Sequence, residues 1–123
     1  MRKTILLSVI SLIIGLTVGF YSGVRYTHKV AFVYLSISNQ STKPIRLLTL
    51  NHAHGTSTLE NIPINEKRYL KFYAGGETTY SLTVEFSDGT KIDSGGRYVE
   101  GGYKMTELIS DKAITSKLDN LYF

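Results

Sequence analysis

Apolar residues fall along this chain in two rhythms. From Ile5 to Val24 the run ILLSVISLIIGLTVGFYSGV holds twenty residues without a charge, whereas beyond Val30 apolar and polar residues alternate with a period of two. The first rhythm predicts one membrane-spanning helix. At a rise of about 1.5 Å per residue such a run extends about 30 Å, the thickness of a bilayer's hydrocarbon core. A helix is the one single-segment structure that satisfies its own backbone polar groups in lipid. Arg2 and Lys3 precede the run within a basic flank, residues 1–4, and Phe20, Tyr21 and Tyr26 gather at its far end, where amphipathic rings suit the headgroup region.

A cleaved signal peptide is the competing reading, because a basic stretch ahead of an apolar one is also an export signal. Cleavage needs small residues at the −3 and −1 positions. Thr17-Val18-Gly19 meets this only loosely and would use part of the run, while Phe20-Tyr21-Ser22 and Tyr21-Ser22-Gly23 place an aromatic where a small residue is required. There is no cysteine for lipid attachment. A retained signal anchor therefore fits better. Ser11, Gly15, Gly19 and Gly23 recur every four residues, so on a helix they form one smooth stripe of the kind that packs against a second helix, its own copy or another membrane protein. Arg2, Lys3 and the amino group on one side of the span outweigh Arg25 and Lys29 on the other. That bias predicts a cytoplasmic N-terminus and an exported C-terminal domain.

Residues 25–29 read as a short tether, which keeps the domain close to the bilayer since an extended residue reaches only about 3.3–3.6 Å. The second rhythm then occupies residues 30–110. Strand-like runs are expected at Ala31–Ser38, Ile45–His52, Thr56–Ile62, Glu66–Tyr73, Thr79–Phe86, Thr90–Asp93, Arg97–Glu100 and Tyr103–Ile109. Turn-forming clusters separate them, among them Ala74-Gly75-Gly76-Glu77 and Ser87-Asp88-Gly89. The run at Thr79–Phe86 is the clearest, with Tyr80, Leu82, Val84 and Phe86 on one face. Seven or eight short strands with breaks every eight to twelve residues predict an all-β fold, a small antiparallel sandwich of immunoglobulin-like plan. A small β-barrel is the alternative. In residues 111–123, Ile114, Leu118 and Leu121 are spaced as on a helix behind Asp111, so a short helix or a frayed tail is expected. If every break reverses the chain, the breaks at 53–55, 74–77 and 94–96 lie at the membrane end, and those at 39–43, 63–65, 87–89 and 101–102 lie at the far end.

Charge sharpens the picture. The formal net charge is +4, yet residues 1–59 hold six basic residues and no acid, the first acid being Glu60. Positive charge next to an apolar span matches anionic lipid headgroups. Nucleic acid is not expected, because no basic cluster with interleaved aromatics appears along the chain. Absence of cysteine excludes disulfides and thiol chemistry.

Candidate chemistry is sparse. His52 and His54 lie two apart and would share a strand face, but Glu60 is the one further ligand type nearby, and a metal site wants three or four convergent ligands. The serines lack a G-x-S-x-G setting. Asp88 and Asp93 lie beside turns, and the Gly-Gly pairs lead into strands rather than into a helix that could cradle phosphate. Asn39-Gln40-Ser41 is formally a glycosylation acceptor, informative only in a host that glycosylates. No catalysis, cofactor or metal is expected. Tyr69, Tyr73, Tyr98 and Tyr103 are candidate partner contacts, because tyrosine is enriched in interface hot spots. Two readings follow: a membrane-anchored accessory or protein-binding module, and a signal-cleaved exported β-domain that binds a small ligand or sugar.

Overall fold

The structure, a computed structural model, describes residues 1–121. Helix α1 (Arg2–Ala31) is followed by β1 (Phe32–Asn39), β2 (Ile45–His52), β3 (Gly55–Ile62), β4 (Lys67–Tyr73), β5 (Glu77–Phe86), β6 (Lys91–Asp93), β7 (Arg97–Glu100), β8 (Tyr103–Ile109) and β9 (Ile114–Leu121).

The uncharged run is helical throughout, and two of its hydroxyls close on the helix itself. Ser8 donates to the Thr4 carbonyl at 3.0 Å and Thr17 to that of Ile13 at 3.0 Å, so neither hydroxyl needs water. The segment Lys3–Tyr26 has a mean hydropathy of 2.2 and is not covered by the rest of the chain. It is long and apolar enough to cross a membrane, a test that an export signal also passes.

Residues 25–29, read as a short tether, are a continuation of the helix. The helix continues to Ala31 and Phe32 enters β1 without a loop. Five helical residues advance only about 7–8 Å, so the body sits closer to the end of the apolar run than a tether would place it.

The body is mostly β, in two sheets. One has the order β4-β1-β8-β9, and the other runs β3-β2-β5 with β6 and β7 both on the outer edge of β5. Alternation explains the layering. Val33, Leu35 and Ile37 of β1, Leu48 and Leu50 of β2, and Tyr80, Leu82, Val84 and Phe86 of β5 are all buried, in one core that both sheets share. Among the described residues no ladder joins the two sheets, which disfavours a closed barrel.

Three further expectations require correction. Residues 114–121 form a ninth strand rather than a helix, with Ile114 opposite Ile109 and Leu118 opposite Met105; residues 122–123 lie outside the described residues. The pairing is not wholly antiparallel, since β1 and β8 run parallel. The break at 94–96 does not reverse the chain. Ser94 donates its N–H to the Leu82 carbonyl at 2.9 Å, and its hydroxyl accepts the Leu82 N–H at 2.8 Å. Ser94 thereby fills the gap between β6 and β7, which both run antiparallel to β5 along the same edge. This shifts the count of reversals by one, and the 101–102 turn lies at the helix end, where Gly102 N–H reaches the Phe32 carbonyl at 2.8 Å. The 94–96 break sits partway along the sheet edge.

Candidate functional site

At the helix end of the body, the β1–β4 register sets Phe32 opposite Tyr73, and the two rings meet edge-on at 5.8 Å. Around them lie both candidate metal ligands. His52 ends β2 with its ring stacked on Phe72 at 4.8 Å, and His54, in the following turn, lies 5.2 Å from the Tyr73 ring. The backbone N–H of His54 donates to His52 Nδ1 at 3.3 Å. Burial, and secondarily the neighbouring His54, lower the His52 pKa from the usual histidine value. Glu60 does not converge on them: it pairs with Leu47, five residues along β2 from His52, about 17 Å at strand rise. Among the described residues no three metal-ligating side chains lie together. Beside His52 an open depression of about 380 Å³ is lined by Asn51, Thr79, Ser81 and Asp93. It offers hydroxyls and one carboxylate. No described hydrogen bond joins a hydroxyl to either histidine.

The candidate tyrosines do not form one patch. Tyr69 and Tyr73 lie on the outer face of β4, 73% and 47% exposed, whereas Tyr98 is on the outer face of the other sheet. Tyr98 donates to Glu100 at 2.7 Å, and that carboxylate raises the phenol's pKa. Tyr103 packs against the core. On α1 the stripe Ser11, Gly15, Gly19, Gly23 is exposed, and a methyl group added at Gly15, Gly19 or Gly23 would meet nothing within 4 Å beyond its chain neighbours and the helix's own backbone. Gly19 and Gly23, with Phe20 and Val24, face Phe32 and Tyr73 across a groove of about 650 Å³.

Asp88 and Asp93 serve separate turns. Asp88 pairs with Lys43 at 2.7 Å and accepts the Thr90 N–H, contacts that hold its carboxyl well below the usual range. Asp93 accepts the Gly95 N–H at 2.7 Å and the Thr83 hydroxyl at 2.9 Å. Asn39 is fully buried, and its amide donates to the carbonyls of Lys43, Ile62 and Pro63. The formal glycosylation acceptor is therefore consumed in pinning two loops.

Sequence reasoning missed a buried polar cluster between the sheets. Glu107, on the inward register of β8 between Met105 and Ile109, is 0% exposed. One carboxylate oxygen accepts the Tyr80 hydroxyl and, at 2.6 Å, the Ser116 hydroxyl. Arg97 Nε lies 3.5 Å from the other oxygen as an ion pair without a hydrogen bond, and Arg97 also donates to the Ile114 carbonyl at 2.6 Å. Burial, then the bond to Glu107, raises the Tyr80 pKa far above the usual phenol range. The signal was present in the alternation of Tyr103–Ile109, which puts position 107 inside. The cluster ties β5, β7, β8 and β9 together, and with its carboxylate sealed from solvent it reads as a structural tie.

No protein-family model matches the chain, and no curated protein matches it. Among solved structures it is similar to an NMR structure of a protein from Eubacterium rectale, with a TM-score of 0.54 at 9% identity over 76% of this chain and 93% of that one. At that identity the likeness shows a shared fold alone. A weaker likeness, to a disulfide-locked mutant of intermedilysin with human CD59, has a TM-score of 0.40 at 7% identity over 72% of this chain and 24% of that one. It carries no argument.

Proposed function

We propose that this chain is a single-pass membrane-anchored, non-catalytic β-sandwich module that binds another protein at the membrane surface, its N-terminus cytoplasmic and its β-domain exported. The observation that carries this reading is an apolar helix, uncovered by its own domain, that runs without a loop into the first strand. Side chains such as Leu7 and Phe20, 65% and 77% exposed, would form an apolar surface far larger than soluble monomers tolerate, and lipid is the solvent that suits them. Four and five strands around one core, with β1 beside the penultimate strand β8, support an immunoglobulin-like plan. The exposed stripe at Ser11, Gly15, Gly19 and Gly23 supports docking on a partner helix.

Alkaline carbonate extraction of native membranes, followed by intact mass of the purified chain, tests the anchor. The expected result is a full-length chain retained in the pellet; a shortened chain in the soluble fraction refutes it. Crosslinking and co-purification from solubilised membranes then test the partner, with Gly15→Leu and Gly19→Leu expected to weaken its capture.

The signal-cleaved alternative is favoured by one observation. The core begins at Val33, so removal of the helix would leave it closed. The same mass measurement separates the two readings.

A further inference from the structure

The two outer faces of the body carry opposite charge. On the four-stranded sheet, alternation points Lys67 and Lys71 of β4, Lys104 of β8 and Lys117 of β9 outward, against the single acid Asp119. All four lysines are exposed, and none of the ion pairs among the described residues uses them. The other sheet presents Glu60, Glu77, Glu85, Asp93 and Glu100 against Arg46 and Lys91. Four lysines against one acid give a formal +3, and five acids against two bases give −3.

Aromatic rings are set among the lysines. Tyr34 lies opposite Lys71 on one side and Lys104 on the other, and Tyr69 lies two residue pairs along, opposite Ser36. Lys71 Nζ stands 5.3 Å from the Phe32 ring centroid. Phe32 is also the residue that follows the helix, and with Tyr73 it lines the groove against the helix flank. The basic aromatic face thus begins at the helix exit and turns toward the helix side.

We propose that this face, the outer surface of β4-β1-β8-β9, docks on the bilayer from which α1 emerges, with anionic phospholipid headgroups as its counter-charge. The inference rests on the membrane-anchored reading and deepens it. Lysines supply attraction to lipid phosphate, the tyrosine and phenylalanine rings suit the headgroup region, and attachment through α1 keeps the surface at high local concentration. The opposite face, acidic and rich in hydroxyls, is left turned to solvent and to protein partners.

The native chain has no cysteine, so single probes are simple to place. Ser36→Cys puts a fluorophore at the centre of the basic face and Thr49→Cys puts one on the opposite face. Each full-length chain is reconstituted in nanodiscs of phosphatidylcholine alone or mixed with phosphatidylglycerol, containing headgroup spin-labelled lipid as quencher. The expected result is quenching at position 36 that grows with phosphatidylglycerol and fades with salt, and little at position 49. Neutralising lysines by Lys71→Gln, then Lys104→Gln, lowers the preference for anionic lipid by roughly fivefold each; Lys91→Gln, on the other face, leaves it unchanged.

Equal quenching at both positions, or quenching indifferent to lipid charge, overturns the proposal. So does protection of the position-36 probe by a soluble oligonucleotide but not by the anionic bilayer. Concentration-dependent contact between the two faces of neighbouring copies also overturns it. Loss of the chain from native membranes on carbonate extraction would instead mark failure of the anchored reading.

Discussion

Cutting Arg97 back to methionine should destabilise the body more than neutralising the glutamate it faces. Glu107 is 0% exposed on its side chain and Arg97 is 22% exposed. Arg97→Met leaves a carboxylate sealed in the core with two hydroxyl donors and no cation, and breaking a buried pair from that side costs about 3–5 kcal/mol. Glu107→Gln keeps a side-chain oxygen for the Tyr80 and Ser116 hydroxyls and strands only a guanidinium that reaches water and still bonds the Ile114 carbonyl. Its cost should be about 1–2 kcal/mol. Because the first penalty is mostly uncompensated charge, the double variant should cost at least about 1 kcal/mol less than the sum of the two. Urea unfolding of the full chain in detergent micelles, followed by near-ultraviolet circular dichroism of its tyrosines, reads all three midpoints. An additive double variant, or Glu107→Gln at least as harmful as Arg97→Met, would refute the reasoning.

Further tests are independent of that cluster. Gly75 has φ +63°, and a methyl group there would stand 2.9 Å from the Tyr73 ring, so Gly75→Ala should cost at least about 1–2 kcal/mol; an unchanged urea midpoint would contradict it. Leu50→Ala, in the core at 0% exposure, should cost about 2–5 kcal/mol, whereas Tyr69→Ala on the surface should stay within about 0.5 kcal/mol. Asn39→Asp sets a carboxylate against three carbonyls and should cost about 3 kcal/mol or more; in a glycosylating host, intact mass should show no glycan on the parent chain. Asp88, Asp93 and Asp111 are held below the ordinary aspartate value of 3.8, chiefly by Lys43 and by the backbone N–H groups of Gly95 and Thr42 respectively. A depressed folded-state pKa adds stability that is full above the unfolded value and is lost as pH falls below it. Stability should therefore drop below about pH 4, and Asp88→Asn should make the drop shallower; an identical acid limb would argue against it.

Most strands were legible because their inward positions are apolar. β5 alternates without a fault, and β1, β2 and β4 come close. β9 was not legible, for a physical reason: Ser116 occupies an inward position to serve Glu107, so a period of two is broken where the cluster sits, and Ile114 and Leu118 alone mimic a helix. The direction of β8 was hidden in Ser94, whose hydroxyl takes the place of a ladder partner at a break that looked like a hairpin. Of the candidate site residues, the histidines and tyrosines could be named but not placed together, because their neighbours come from other strands. The same holds for Lys67, Lys71, Lys104 and Lys117, which are scattered in the sequence and gathered on one face by register alone.

The strand that leaves the helix is held on both sides. β1 pairs through seven residues with β4 and through six with β8, and the backbone N–H of Ala74 also closes on the Ala31 carbonyl at 2.9 Å. β1 is therefore an interior strand, and freeing it from the body would mean breaking two ladders, where an edge strand such as β9 is held by one. The helix is thus joined to one of the two strands of this sheet that are laced in from both sides, so that loosening an edge of the sheet need not detach the anchor.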